Sequence, residues 1–281
     1  MDKRVGVIGA GIMGQGVALT LTQYGYQVIF VDVTDEILQN AKDEMCKKYN
    51  AYRLMNEDLS NKSFLESITF TTDYNLLKDV SIIIENTPEL MEVKREVYKK
   101  MEAICKADCI FLVNTSCLSI TEIASFTSRE EKVMGVHFMN PVPLIHTVEV
   151  IKGMKSSEET IENTCNFLKE IGKKSIVIHD SVGFVSNRIS HLMMNEAMFL
   201  VYENVAKPEQ IDQIFKQCYG HKMGPLETAD LIGLDTVRNS LDVLYQNYQD
   251  SKFRCCPLLK KMVDAGYYGQ KSGKGFYDYF Y

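Results

Sequence analysis

The chain has 281 residues, 46% of them hydrophobic and 24% charged, with only 6 Pro and 17 Gly, a balance that excludes a disordered, collagen-like or low-complexity polypeptide. A chain of this length can bury roughly three quarters of its unfolded surface, so a core needs neither disulfides nor a metal to hold it. The 31 Lys+Arg against 37 Asp+Glu give a formal net charge of -6 with no block of like charges, which argues against nucleic acid as a partner.

Lys3 and Arg4 precede a short apolar run, but glycines interrupt it, unlike a secretory signal. No stretch reaches the ~20 apolar residues that a membrane span needs. The 8 cysteines are scattered without a CxxC pair, which fits reduced thiols in the cytoplasm. None of the 5 histidines stands in a pattern such as HExxH, so no metal is expected.

In chain order, β-branched runs are predicted as strands at Val5 to Ile8, Val28 to Val31, Ile68 to Thr71, Ile82 to Ile84, Ile110 to Val113 and Val133 to Val136. Between them, Glu36 to Tyr49 and Val93 to Ile104 are rich in Lys, Glu and Met and poor in turn formers, and read as helices. Strand and helix in alternation predict an α/β, doubly wound parallel sheet of the Rossmann type, covered on both faces. Two more strand-like runs, His146 to Ile151 and Ser175 to Ile178, flank a helical stretch from Glu158 to Glu170. From Phe184 onward the periodicity is helical, broken near Pro208, Gly224-Pro225, Gly233 and Cys256-Pro257. This predicts a dinucleotide-binding domain over 1–181 and an all-helical domain over 182–281, with the boundary at Ser181-Val182-Gly183. No solenoid-length repeat or Gly/Ser-rich linker separates them.

Gly9-Ala10-Gly11-Ile12-Met13-Gly14 matches the dinucleotide fingerprint GxGxxG, following a strand and opening a helix that should close near Gly25. Gly9 serves the tight turn, Gly11 the close approach of the pyrophosphate, and Gly14 the packing of helix on sheet. The phosphates would meet the unpaired N–H groups at the start of that helix. The second strand runs into Asp32, where a carboxylate binds ribose hydroxyls and repels a 2′-phosphate; Val33 and Thr34 offer no arginine to hold one. The expected cofactor is NAD.

His137 follows the strand Val133 to Val136, at the carboxyl end where an open sheet forms its ligand crevice, and Asn140-Pro141 marks a turn after it. Glu149 lies in the next extended run, within reach if that turn folds the chain back. Oxidising a secondary alcohol requires a base for the hydroxyl proton. A neutral imidazole supplies it, and a carboxylate on its other nitrogen fixes the tautomer. The competing reading is a buried histidine bonded to backbone beside a surface glutamate. Ser116, after the strand Ile110 to Val113, either bonds a substrate oxygen or, like Ser119, caps a helix starting at Ile120. Asn187 either closes the site from the second domain or holds the domain junction.

Together these segments resemble the 3-hydroxyacyl-CoA dehydrogenase family, of the short 3-hydroxybutyryl-CoA type, over nearly the whole chain. The resemblance runs through Val7-Ile8-Gly9-Ala10-Gly11, Asn114-Thr115-Ser116, His137-Phe138-Met139-Asn140-Pro141-Val142-Pro143, Val148-Glu149-Val150-Ile151, Gly183-Phe184-Val185-Ser186-Asn187-Arg188, Met223-Gly224-Pro225 and Lys271-Ser272-Gly273-Lys274-Gly275-Phe276-Tyr277. It implies that His137 is the base, that Glu149 orients it, and that Ser116 and Asn187 contact substrate oxygens. It also implies that Asn140 lies on the substrate side, that Glu89, Lys94 and Asn114 line the cofactor side, and that the helical domain carries a dimer interface. Val182, His146, Met139 and Cys117 depart from the residues usual in the family, and none of them removes a catalytic group.

The segment Tyr49 to Leu59, where relatives that use CoA tend to carry several lysines, has Arg53 as its sole cation. Asn114 to Ser119, His137 to Pro143 and Gly220 to Asp230 are also similar to a subgroup that oxidises hydroxyacyl groups on acyl carrier protein for polyketide extender units. The expectation is therefore a reversible NAD-dependent dehydrogenase of a short 3-hydroxyacyl thioester on CoA, with a carrier-protein substrate as the alternative. A non-catalytic NAD-binding protein on the same fold is the alternative of another class. Retention of Ser116, His137, Glu149 and Asn187 argues against it.

Overall fold

In a computed structural model of the chain, residues 3–55 and 64–279 are described, with the backbone alone over 50–55. The chain divides into two compact units, Met1–Ser181 and Val182–Tyr281.

The first unit opens with β1 (Arg4–Ile8), α1 (Ile12–Gln23), β2 (Gln27–Val31) and α2 (Asp35–Met55). It continues through β3 (Ile68–Thr71), β4 (Ile82–Glu85), α3 (Met91–Ile104), β5 (Ile110–Val113) and α4 (Ile120–Ala124). β6 (Val133–Phe138), β7 (Thr147–Lys152), α5 (Glu158–Glu170) and β8 (Lys174–His179) complete it. The strands form one sheet in the order β3-β2-β1-β4-β5-β6-β7-β8. The central strands are apolar because the sheet is covered on both faces; β1 and β2 are buried from their second residue on and β5 throughout. α1 ends where Gly25 adopts φ 79°, the left-handed turn expected of it.

The order reverses between β1 and β4, which lie side by side although they are not consecutive. A crevice forms at such a switch point, outside the carboxyl ends of the strands.

Two expectations are corrected. The sheet is mixed rather than parallel throughout, since β7 pairs antiparallel with β6 and parallel with β8. The link 139–146 is too short for the dozen or so residues of a crossover, so the chain reverses as a hairpin. The strand containing His137 is also longer than its β-branched run, so His137 pairs within β6 instead of following it. In the segment Tyr49 to Leu59, residues 56–59 and the side chains over 50–55, that of Arg53 included, lie outside the described residues.

The second unit comprises α6 (Ser186–Tyr202), α7 (Pro208–Tyr219), α8 (Pro225–Ile232), α9 (Leu234–Tyr248) and α10 (Pro257–Asp264). Met194, Met198, Ile211, Leu226, Val237, Leu241 and Leu259 meet in its core. Pro208, Pro225 and Pro257 each open a helix, where a missing N–H costs nothing.

Two buried aspartates fix the rest of this unit. Asp212 accepts from the N–H groups of Leu226 and Glu227, both at 2.9 Å, and from the Tyr277 hydroxyl at 2.7 Å. Asp230 accepts from the N–H groups of Phe276 and Tyr277 at 3.0 Å, and burial raises its carboxyl above the usual range despite these bonds. The C-terminal Gly275-Phe276-Tyr277 segment is thereby sewn to α7 and α8.

Candidate active site

The loop between β1 and α1 carries the glycines. Gly9 takes φ 93°, and a Cβ there would sit 2.6 Å from the Asn86 carbonyl oxygen. A Cβ on Gly14 would overlap the Gly9 carbonyl oxygen, whereas one on Gly11 would meet nothing within 4 Å. Packing therefore demands glycine at 9 and 14 but not at 11. The open space over Gly11 fits close approach of a ligand, as the fingerprint requires. α1 starts at Ile12 without a side-chain cap, so the first N–H groups, including those of Ile12, Met13 and Gly14, lack acceptors within the helix and suit a pyrophosphate.

Asp32 stands just beyond β2. Its Oδ2 accepts from the Ala10 N–H at 2.5 Å and its Oδ1 from the Val33 N–H at 2.6 Å. These bonds hold a carboxylate against the glycine loop, an acceptor that suits the hydroxyls of a ribose diol and opposes a 2′-phosphate.

At the neighbouring strand ends, the Asn114 amide donates to Asn86 Oδ1 at 2.7 Å while its own Oδ1 accepts from the Phe138 N–H at 3.3 Å. Asn114 thus ties the carboxyl ends of β4, β5 and β6 together. Glu89 has a related task. Its Oε1 accepts from Thr115 Oγ1 at 2.5 Å and from the N–H groups of Ser116 and Cys117, each at 2.9 Å. Glu89 therefore shapes the loop that presents Ser116. Ser119 caps α4, its Oγ accepting from the Glu122 N–H at 3.2 Å.

Lys94 is fully buried, and its ammonium donates to both carboxylate oxygens of Glu85 at 2.9 Å. Glu85 is the last residue of β4, so the ion pair sits at the carboxyl end of that strand.

His137 and Glu149 face each other across the hairpin as register partners, and neighbours opposite one another on an antiparallel pair project to the same side. His137 Nδ1 lies 2.8 Å from Glu149 Oε2. The residues are 5% and 8% exposed, so the pair interacts where water screens it little. A carboxylate here selects the tautomer with hydrogen on Nδ1, which leaves Nε2 as the basic nitrogen. The alternative in which Glu149 is a surface residue is excluded by its burial.

The hairpin link has a brace that no sequence signal marked. Lys173, just before β8, is 5% exposed, and its Nζ donates to the carbonyls of Val142 at 2.5 Å and Ile145 at 2.8 Å. Burial lowers its ammonium to about 8. Asn140, in the same link, is exposed and precedes Pro141 through a cis bond. Asn187 belongs to the second unit, as the second residue of α6, where its carbonyl oxygen lies 2.9 Å from His191 Nδ1.

Comparison with known proteins agrees with this architecture. Residues 4–181 match the NAD-binding domain of 3-hydroxyacyl-CoA dehydrogenase, and residues 183–279 match its C-terminal domain. The 3-hydroxybutyryl-CoA dehydrogenase of Clostridioides difficile is 41% identical over 280 residues, covering 98% of this chain and 99% of its own. That of Bradyrhizobium diazoefficiens is 40% identical, covering 99% and 95%. The crystal structure of (S)-3-hydroxybutyryl-CoA dehydrogenase from Ralstonia eutropha superposes with a TM-score of 0.94 at 37% identity, covering all of both chains. These relatives are named for CoA substrates, and the carrier-protein alternative draws no support from them. With both domain families matched in order across the chain and a Rossmann sheet bearing the His137–Glu149 pair, the protein belongs to the 3-hydroxyacyl-CoA dehydrogenase family of NAD-dependent oxidoreductases.

Proposed function

We propose that the protein catalyses reversible oxidation of the 3-hydroxyl of a short 3-hydroxyacyl-CoA, with 3-hydroxybutyryl-CoA as the first substrate to test. The buried His137–Glu149 hydrogen bond at 2.8 Å carries this reading, and the names of the full-length relatives support the substrate class. NAD, held by the glycine loop and Asp32, would supply the hydride acceptor for C3. His137 Nε2 takes the hydroxyl proton, and Glu149 holds the ring and stabilises the imidazolium as it forms. Ser116, on the loop shaped by Glu89, and Asn187 bond substrate oxygens, and Asn140 lies on the substrate side. Gly9, Gly11, Ile12, Met13 and Gly14 receive the pyrophosphate, and Asp32 receives the adenosine ribose. Asn114 and Glu89 support this region through the contacts described above. Lys94, paired with Glu85 at the end of β4, lines the cofactor side with Glu89.

The same proposal assigns the second unit a homodimer interface and a part in substrate binding, and the protein a cytoplasmic place. Among the described residues no helix is long and apolar enough to cross a membrane.

The test is NADH formation from 3-hydroxybutyryl-CoA by the wild type and by His137→Ala. The variant should lose about 10²–10⁴-fold in kcat, the range set by a general base, while its affinity for NADH, read from the change in NADH fluorescence on binding, stays that of the wild type. Undiminished turnover by His137→Ala would remove the assigned base. A wild type inactive on short 3-hydroxyacyl-CoA esters would remove the substrate class.

A further inference from the structure

Asn86 follows β4 directly and has no task of its own in the reaction proposed above, yet it stands between the glycine loop and the strand that carries the base. Toward the loop, its N–H donates to the Ile8 carbonyl at 2.7 Å. Its own carbonyl oxygen is the atom that a Cβ on Gly9 would strike, so the Asn86 backbone backs the loop closely. Toward the base, its side chain begins a line of hydrogen bonds that ends at the residue next to His137.

The two ends of that line fix its direction. Asn86 Nδ2 donates to the Ile84 carbonyl at 3.0 Å and lies 3.4 Å from that of Ile8, and these acceptors turn Oδ1 the other way, toward β5. Oδ1 takes the Asn114 amide N–H at 2.7 Å, which leaves Asn114 Oδ1 to accept from the Phe138 N–H at 3.3 Å. A flip of either amide would set oxygen against oxygen or N–H against N–H, so each side chain has one orientation that satisfies its neighbours. The registered pairing of β5 with β6 runs to Val113 and Gly135. The two side chains carry the connection past that last pair.

We propose that Asn86 is a positioning residue for hydride transfer, which holds the base strand in place against the glycine loop by way of Asn114. The inference rests on the dehydrogenase reading above. That reaction needs the cofactor, C3 and His137 Nε2 in one alignment. The glycine loop carries the cofactor and β6 carries the base, with β4 and β5 between β1 and β6 in the sheet. Main-chain pairing spaces the strands along their length, but His137 lies beyond the last β5–β6 pair, where the Asn86–Asn114 line takes over. Replacing Asn86 by alanine removes the acceptor that orients the Asn114 amide, and the Phe138 N–H then loses a partner held in place. The cost falls on alignment of the reacting groups rather than on binding, and so on kcat rather than KM.

The experiment measures turnover of 3-hydroxybutyryl-CoA and its 3-deuterated form by the wild type, Asn86→Ala, Asn114→Ala and the double variant, with the melting temperature as the check that each folds. Asn86→Ala should lower kcat by about 10- to 100-fold, the size expected of a misplacement of up to an ångström. Its KM for the ester and its affinity for NADH should stay within about twofold of wild type. The deuterium effect on kcat should be at least as large as that of the wild type, because hydride transfer has become slower. In the Asn114→Ala background the same substitution should cost less than about twofold, since the link it works through is already gone. Exchange of the Phe138 amide with solvent, followed by NMR without substrate, reads the link apart from the reaction and should quicken in Asn86→Ala. A wild type inactive on the ester would count against the dehydrogenase reading, while quickened Phe138 exchange would still support the link. Unchanged Phe138 exchange, a kcat of Asn86→Ala within about twofold of wild type, or an equal loss in the Asn114→Ala background would overturn the proposal.

Discussion

Lys173 and Lys174 are adjacent, and nothing in their local sequence distinguishes them. Lys174 is exposed at the start of β8, while Lys173 is buried with its ammonium on two carbonyls of the link that joins β6 to β7. Burial lowers the Lys173 ammonium from an ordinary 10.5 to about 8. Over that interval the unfolded chain holds a proton that the folded chain has released, so this group makes stability rise with pH from about 8 and level off near 10.5. The slope it adds is bounded at about 1.4 kcal/mol per pH unit, the value for one proton. Lys173→Met should remove that slope in denaturant titrations run across this interval, and should lower kcat by loosening the hairpin under His137. An unchanged slope would show that Lys173 titrates as an exposed lysine. Asp32 and the fingerprint glycines carry their signal in type and spacing, and the structure sets them on one loop, with the Ala10 N–H donating to Asp32 Oδ2.

At the scale of elements, the β1–α1 loop separates two uses of glycine that the sequence pattern treats alike. Gly14 is constrained by the fold, because any Cβ there strikes the Gly9 carbonyl, while Gly11 has open space above it. Gly14→Ala should destabilise the protein by about 1–3 kcal/mol, as overpacking does. Gly11→Ala should leave thermal stability nearly unchanged yet weaken NADH binding measured by calorimetry. Equal affinity in wild type and Gly11→Ala would place the pyrophosphate elsewhere. The β6–β7 hairpin taught the opposite lesson about legibility. The spacing of His137 and Glu149 was visible, and a reversal between them was expected, but strand and helix alternation had suggested a uniformly parallel sheet. A link too short to cross over decided the direction, and the direction set His137 opposite Glu149.

For the whole molecule, the two units keep separate cores of buried apolar residues, one around the sheet and one among the helices. The NAD-binding domain match falls in the first unit, and Asp32 within it is the residue on which the proposed cofactor preference is tested in the intact enzyme. The wild type should prefer NAD over NADP in kcat/KM with 3-hydroxybutyryl-CoA. Asp32→Ala should narrow that preference by weakening NAD and relieving repulsion of the 2′-phosphate. Equal use of the two cofactors by wild type would contradict the assignment of Asp32.

Repetitive and spatially local features were already readable from residue order: the strand and helix succession, the fingerprint with its acid, the proline and glycine punctuation of the helical unit, and the family motifs. Each depends on chain geometry over a few turns, which periodicity and residue type encode directly. Long-range closure was not readable. The burial of Lys94 on Glu85, the support of the Ser116 loop by Glu89, the bracing of the hairpin by Lys173 and the meeting of Asn86 with Asn114 all join groups from separate elements. Whether a charged or polar side chain faces water or a buried partner depends on what the fold packs over it, and that is set by the folded chain as a whole.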